Sequence, residues 1–171
     1  MSVRMIPIRS VMIVGMSGNS KIMIIYQYNF KHICLIELEV DDLGTVKKYM
    51  PQSRYYKSEF IPLNKHGKGP FCKFRIDKSL QIEGVYIIRS NDKPVYVGEC
   101  VNLSKRFNMG YGQISPKNCF MNGQSTNCKV NNFILTESLK GSTIEILSYE
   151  TEKRNIIETE LIYKLNPIWN F

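Results

Sequence analysis

The chain has 171 residues, 43% hydrophobic and 22% charged, and its formal net charge is +8. Such a length and balance fit one domain, or a small domain with a sizeable extension, and no apolar run is long enough for a membrane span. The excess of Lys and Arg points to a polyanionic partner, with a merely basic surface as the plain alternative.

Cys34, Cys72, Cys100, Cys119 and Cys128 include no CxxC pair and are irregularly spaced. They argue against a disulfide framework or a zinc site, and for reduced thiols in the cytoplasm. Pro7, Arg9 and Ser10 interrupt the only signal-like stretch, so secretion is not expected. Gly15 to Lys21 lacks the Gly-Lys-Ser/Thr ending of a phosphate loop and is set aside. Residues 1–19 read as a poorly organised extension.

Ile22, Ile24, Tyr26 and Tyr28, then Cys34, Ile36, Leu38 and Val40, alternate with period two. They predict a hairpin turning at Asn29-Phe30-Lys31. Asp41-Asp42 then caps an expected short helix to Met50, ended by Pro51. Residues 52–76 mix basic and aromatic side chains. Lys65, His66, Lys68 and Lys73 are candidate nucleic-acid contacts, and a loop anchored by its aromatics is the equal alternative.

Gly84 to Gly98, GVYIIRSNDKPVYVG, reads as a second hairpin around a polar turn. Its pairing places Tyr86 and Tyr96 on one face. VNLSKRF, with Lys105 and Arg106, reads as a short helix. Residues 110–132 read as a long loop, whose Tyr111, Lys117 and Asn131 are further candidate contacts to a nucleic acid. A helix ending at Gly141, a strand over STIEILSYE and a helix from Thr151 to Leu165 complete the chain.

The words Gly84-Val85-Tyr86 and Tyr96-Val97-Gly98, the helical Arg106, the late Glu158 and Asn170 twelve residues beyond it resemble the GIY-YIG nuclease family. The resemblance covers the second half of the chain. The spacing of Tyr86 and Tyr96 looks most like that of excision-repair incision subunits. It implies an α+β fold: a small three-stranded antiparallel sheet flanked by helices, in the order β-β-α-α-β-α. The expected division is residues 1–83, an extension of hairpin and helix that contacts DNA, and residues 84–171, a catalytic domain. Two positions depart from the family pattern. Glu99 stands where many members carry Lys, and Gly110 where some carry His.

One feature of the last helix is independent of the family. At about 100° per residue, Glu158 falls about 35° from the centre of the apolar arc of Ile157, Leu161, Ile162 and Leu165. A carboxylate there needs a cationic partner, either an ion pair or a metal. Carboxylate oxygen suits Mg²⁺ or Mn²⁺. By resemblance, Glu158 holds the metal, Arg106 clamps the phosphate, Tyr86 is the base, Tyr96 orients the water or phosphate, and Asn170 positions the phosphate or the final turn. The reading is a metal-dependent endonuclease on double-stranded DNA, of restriction or phage-defence type, able to act as a homodimer. The rivals are an inactive nucleic-acid-binding module, a strand-nicking repair or homing nuclease, and a protein whose basic charge is incidental.

Overall fold

A computed structural model describes residues 13–17 and 20–171; of the loose extension expected over residues 1–19, residues 1–12 and 18–19 lie outside the described residues. The strands are β1 (Ile13–Ser17), β2 (Ser20–Ile25), β3 (Tyr28–Leu35), β4 (Gly84–Ser90), β5 (Lys93–Cys100) and β6 (Ile144–Glu150). The helices are α1 (Leu103–Lys105), which continues into a π-helical turn over Arg106–Tyr111, α2 (Ser125–Leu139) and α3 (Arg154–Leu165).

The fold is α+β with an antiparallel sheet, but among the described residues the sheet has six strands in the order β1-β2-β3-β6-β4-β5, not three. The difference lies in the N-terminal hairpin. β6 has one edge filled by β4; the other edge receives β3, with Lys31 opposite Ser148 and His32 opposite Leu147. Burying an edge satisfies a row of backbone groups that would otherwise stand open. Residues 13–17, expected to be unorganised, form the outermost strand.

Three local expectations are corrected. The first hairpin turns at Tyr26-Gln27 instead of Asn29–Lys31, with Tyr26 at φ 54°. Phe30 thereby sits in the strand opposite Met23, and both side chains are fully buried. The helix expected over 41–50 does not form. Asp41 accepts hydrogen bonds from the Leu43 and Thr45 amides at 2.9 and 2.8 Å, which closes a turn between Val40 and Val46. The long loop over 110–132 is also shorter than expected, because α2 already starts at Ser125. Asn127 and Asn131 lie on its buried face, so the apolar period that marks a helix is broken there.

The β4–β5 hairpin is as expected. Asn91 and Asp92 both adopt positive φ, as a two-residue turn matched to strand twist requires. Alternation then sorts the sheet faces. Tyr86, Ile88 and Tyr96 pack with Leu103, Phe107, Val130 and Ile134 beneath α1 and α2. Val85, Ile87 and Val97 pack with Ile157 and Leu161 of α3 on the opposite face.

Tyr86 stands opposite Gly98 in the ladder. A Cβ on Gly98 would lie 2.3 Å from the Tyr86 hydroxyl and 2.5 Å from its ring carbon. Gly98→Ala is therefore expected to force the ring aside. Overpacking of about 1–3 kcal/mol predicts a thermal midpoint roughly 3–10 °C lower, readable by circular dichroism.

Candidate active site

A cavity of about 370 Å³ opens at the β5 edge. Tyr86, Tyr96, Arg106, Tyr111 and Glu158 line it, with Gly98 and Glu99 at its floor and residues 123–127 opposite. Four of the five residues expected in the site thus face one space. The fifth, Asn170, does not line it.

The three phenols form a chain. The Tyr86 and Tyr111 hydroxyls are 2.7 Å apart, and Tyr111 donates to Tyr96 at 3.3 Å. Because Tyr111 gives its only hydroxyl proton to Tyr96, Tyr86 must donate to Tyr111. A lone pair is then left on the Tyr86 oxygen. Burial is the main cause that holds all three phenols above the ordinary value of about 10. Arg106 works against this at each of them without offsetting it.

Tyr111 was expected to meet the nucleic acid from a loop. It is instead 1% exposed and forms the middle of the phenol chain. The π-helical turn puts it there. The Gly112 amide bonds to the Phe107 carbonyl, five residues back, at 2.6 Å. One extra residue per turn brings position 111, not 110, one turn beyond Arg106. The place vacant in sequence at Gly110 is thus filled from the next residue. Arg106 lies against the Tyr111 ring, 5.6 Å from its centroid.

Glu158 reaches the cavity from α3, around the β5 edge. Burial raises its carboxyl above the ordinary value; neighbouring Glu99 adds to this, while Arg106 and Arg154 oppose it. Glu99 itself is bound by Arg154 at 2.6 Å, and Arg154 also bonds Glu83 at 3.0 Å. Among the described residues, neither Arg106 nor Glu158 takes part in an ion pair. The ion-pair account of Glu158 therefore has no partner.

Asn170 acts on the backbone. Its amide accepts from the Val97 N–H at 2.9 Å and donates to the Val97 carbonyl at 2.8 Å. The Trp169 amide donates to the Val95 carbonyl at 2.8 Å. These bonds occupy the outer edge of β5 on both sides of Tyr96. Asn170 thus holds the strand that carries Tyr96, and its side chain is not turned to the cavity as a phosphate contact.

The remaining candidates separate. Lys65, His66 and Lys68 line one cavity beside α2. Lys105 is exposed on a cavity that shares Arg106 with the tyrosine site. Lys117 is exposed on a 3₁₀ turn over Pro116–Cys119. Lys73 lies over the Tyr49 ring in a cavity shared with Glu37 and Glu39. Asn131 is fully buried, its amide bonded to the Cys72 backbone and the Tyr111 carbonyl, so it contacts no nucleic acid. The sequence reading missed Asn127. It is 3% exposed beside Gly110, and its Oδ1 has no partner.

Residues 82–169 match the family model described as the GIY-YIG catalytic domain. The chain belongs to the GIY-YIG family. No curated protein and no solved structure matches it at a significant level. A GIY-YIG domain is that of an endonuclease, and such nucleases generally use divalent metals. Among the described residues no helix is long and apolar enough to cross a membrane, and no three acidic, His or Cys side chains are grouped to hold a metal. The donor set nonetheless fits a divalent cation of the GIY-YIG kind. Mg²⁺ commonly takes one or two carboxylates and completes its shell with water and substrate phosphate. Glu158 is an unpaired, half-buried carboxylate beside a second one.

The raised carboxyl of Glu158 predicts a pH-dependent stability. Below about pH 4 the group is neutral whether folded or not and has no effect. As pH rises through its folded value, the desolvated carboxylate destabilises the protein. Without divalent metal, Glu158→Gln should therefore melt above the parent at pH 8 and level with it at pH 4. Millimolar Mg²⁺ should raise the midpoint of the parent alone. Equal midpoints at pH 8 would show that burial does not penalise the carboxylate, and a Mg²⁺ shift in both proteins would remove Glu158 as a candidate metal ligand.

Proposed function

We propose that the protein is a metal-dependent endonuclease that hydrolyses phosphodiester bonds in double-stranded DNA. The observation that carries this reading is one cavity that is lined by a guanidinium, Arg106, and a carboxylate, Glu158, neither ion-paired among the described residues, together with a hydrogen-bonded tyrosine chain. Arg106 stays charged at any working pH and has a planar fork of donors suited to a phosphate. Glu158 would hold Mg²⁺ or Mn²⁺, and the bound ion would stabilise charge that grows on the phosphate and leaving oxygens.

The tyrosines handle the proton. A water opposite the leaving oxygen donates to the free lone pair on the Tyr86 oxygen. As that water attacks phosphorus, Tyr86 accepts its proton and releases its own to Tyr111, which passes one to Tyr96. Tyr96, 8% exposed, returns a proton to the solvent or to the leaving oxygen. No tyrosinate accumulates, so raised phenol values do not block the step. Burial holds water out of the relay and keeps its hydroxyls in register.

The residues before Gly84 place further cations beside the GIY-YIG domain, which supports a compact nuclease of restriction or phage-defence type. One such site cuts one strand; a homodimer or two binding events would cut both. A second reading, a DNA-binding module without turnover, draws on Glu99 in place of the family lysine.

Incubating supercoiled plasmid with Mg²⁺ or Mn²⁺ separates the two. Metal-dependent nicking or linearisation, abolished by Glu158→Ala with DNA binding retained, is expected of the enzyme. Tyr111→Phe should slow cleavage by about 10²-fold, the low end for a proton-transfer group, with binding unchanged. Absence of cleavage by the parent protein would favour the binding module.

A further inference from the structure

The three lysine and histidine candidates beside α2 sit in a cavity of about 390 Å³ that is separate from the tyrosine site. Lys48, which the sequence reading did not single out, joins Lys65, His66 and Lys68 there. Asn132 and Thr136 of α2 complete its polar lining, and no carboxylate lines it. Among the described residues, Lys48, Lys65 and Lys68 take part in no ion pair. Burial first, and then Lys65 and Lys129, hold the His66 imidazole below its ordinary value. This is a concentration of uncompensated positive charge against a concave wall.

Helix α2 connects this cavity to the tyrosine site. Ser125, Thr126 and Asn127 line the latter, and Asn132 and Thr136 line the former. Ser125, Lys129, Asn132 and Thr136 fall at i, i+4, i+7 and i+11, so they form one stripe along the helix. The stripe offers hydroxyls, an amide and an ammonium. The first acid of α2 is Glu137, one residue past the end of the stripe. From Asn127 to Asn132 is five residues, and from Asn127 to Thr136 is nine. At 1.5 Å per residue these steps span about 7–14 Å. Residues that line the two cavities thus stand close enough along one helix to face a single duplex.

We propose that the Lys48–Lys65–His66–Lys68 cavity is a second phosphate site, which holds the backbone of the same duplex whose reacting phosphate lies at Arg106. The inference rests on the nuclease reading for the phosphate at Arg106, but it can be tested by binding alone. The stripe on α2 carries the strand between the two sites. The ammonium groups neutralise phosphates without reading bases, so this anchor sets position and affinity and leaves sequence choice to other contacts.

The test uses the full chain carrying Glu158→Ala, so that no DNA is cut, and a labelled 20-base-pair duplex of mixed sequence. Affinity is measured by anisotropy from about 50 to 200 mM salt. The triple change Lys48→Gln, Lys65→Gln and Lys68→Gln should weaken binding about 10–100-fold at the middle of that range. It should reduce the slope of log K against log salt by about 2–3. Lys78→Gln, Lys93→Gln and Lys153→Gln, which remove the same charge elsewhere, should leave both nearly unchanged. Equal losses in the two triple variants would show a diffuse charge effect and overturn the proposal, as would unchanged binding in the first. Inorganic phosphate distinguishes a small-anion pocket. If it raises the melting midpoint only where the three lysines remain, while duplex affinity is the same in both triple variants, the duplex assignment fails. In the cleaving background, the first triple variant should raise KM and spare kcat. An inactive parent with the expected salt slopes would sink the nuclease reading and leave the second phosphate site standing.

Discussion

Tyr86 lies across Gly98 in the β4–β5 ladder, and its ring occupies the space any side chain at 98 would fill. This crossing sets the depth of the site. It lets Tyr86 stay within the sheet's thickness, so that Tyr111 can come over it and meet its hydroxyl at 2.7 Å. It also lowers the β5 rim at Gly98, where Glu158 enters from the other face of the sheet. A bulkier residue at 98 would separate the carboxylate from the phenols. The remainder of the fold holds these two strands in register: β6 on the inner side of β4, and Trp169 and Asn170 on the outer edge of β5.

The charges of the site are distributed with similar economy. Glu99 stands where a family lysine was expected, and by itself it adds negative charge beside Glu158. Arg154, at the start of α3, binds it and takes Glu83 as a second partner. A cation is therefore still present at that wall, supplied by a different element. Among the described residues Arg106 and Glu158 take part in no ion pair; Arg106 rests on the Tyr111 ring. Their free valences are available to a phosphate and a divalent ion. That is the physical difference between this arrangement and a structural salt bridge, which would neutralise both groups.

The N-terminal segment adds two strands and an edge strand to one side of the sheet and a basic wall to α2. Its central part, residues 49–72, folds over the start of α2 through Tyr55, Phe71, Phe120 and Cys128. Asn64 fixes that contact by donating to the Asn118 carbonyl at 2.6 Å. The same packing places Lys65, His66 and Lys68 beside α2. The basic charges and the tyrosine cavity thus share one helix as their common support.

Much of the site was legible in the sequence because its residues lie in short, strongly patterned elements. β-branched and aromatic runs around an Asn-Asp turn specify a hairpin by local sterics, and alternation alone puts Tyr86 and Tyr96 on one face. Glu158 among apolar positions likewise marks itself through helical period. Other features depended on distant partners. The edge of β6 that accepts β3 is an unpaired row of backbone groups, and no local pattern states which strand will fill it. The turn at Tyr26 was decided by the burial of Phe30 against Met23. The start of α2 was hidden because Asn127 and Asn131 face inward, and Asn131 bonds to backbone groups brought from Cys72 and Tyr111, which makes a polar residue serve as core. Tyr111 entered the phenol chain only because a π-helical turn added one residue to its helix. The sequence by itself determined which chemistry the chain carries, since side-chain identity and short-range period are local properties. The tertiary structure alone decided which of those groups meet, because register, edge pairing and burial are settled between segments far apart in the chain.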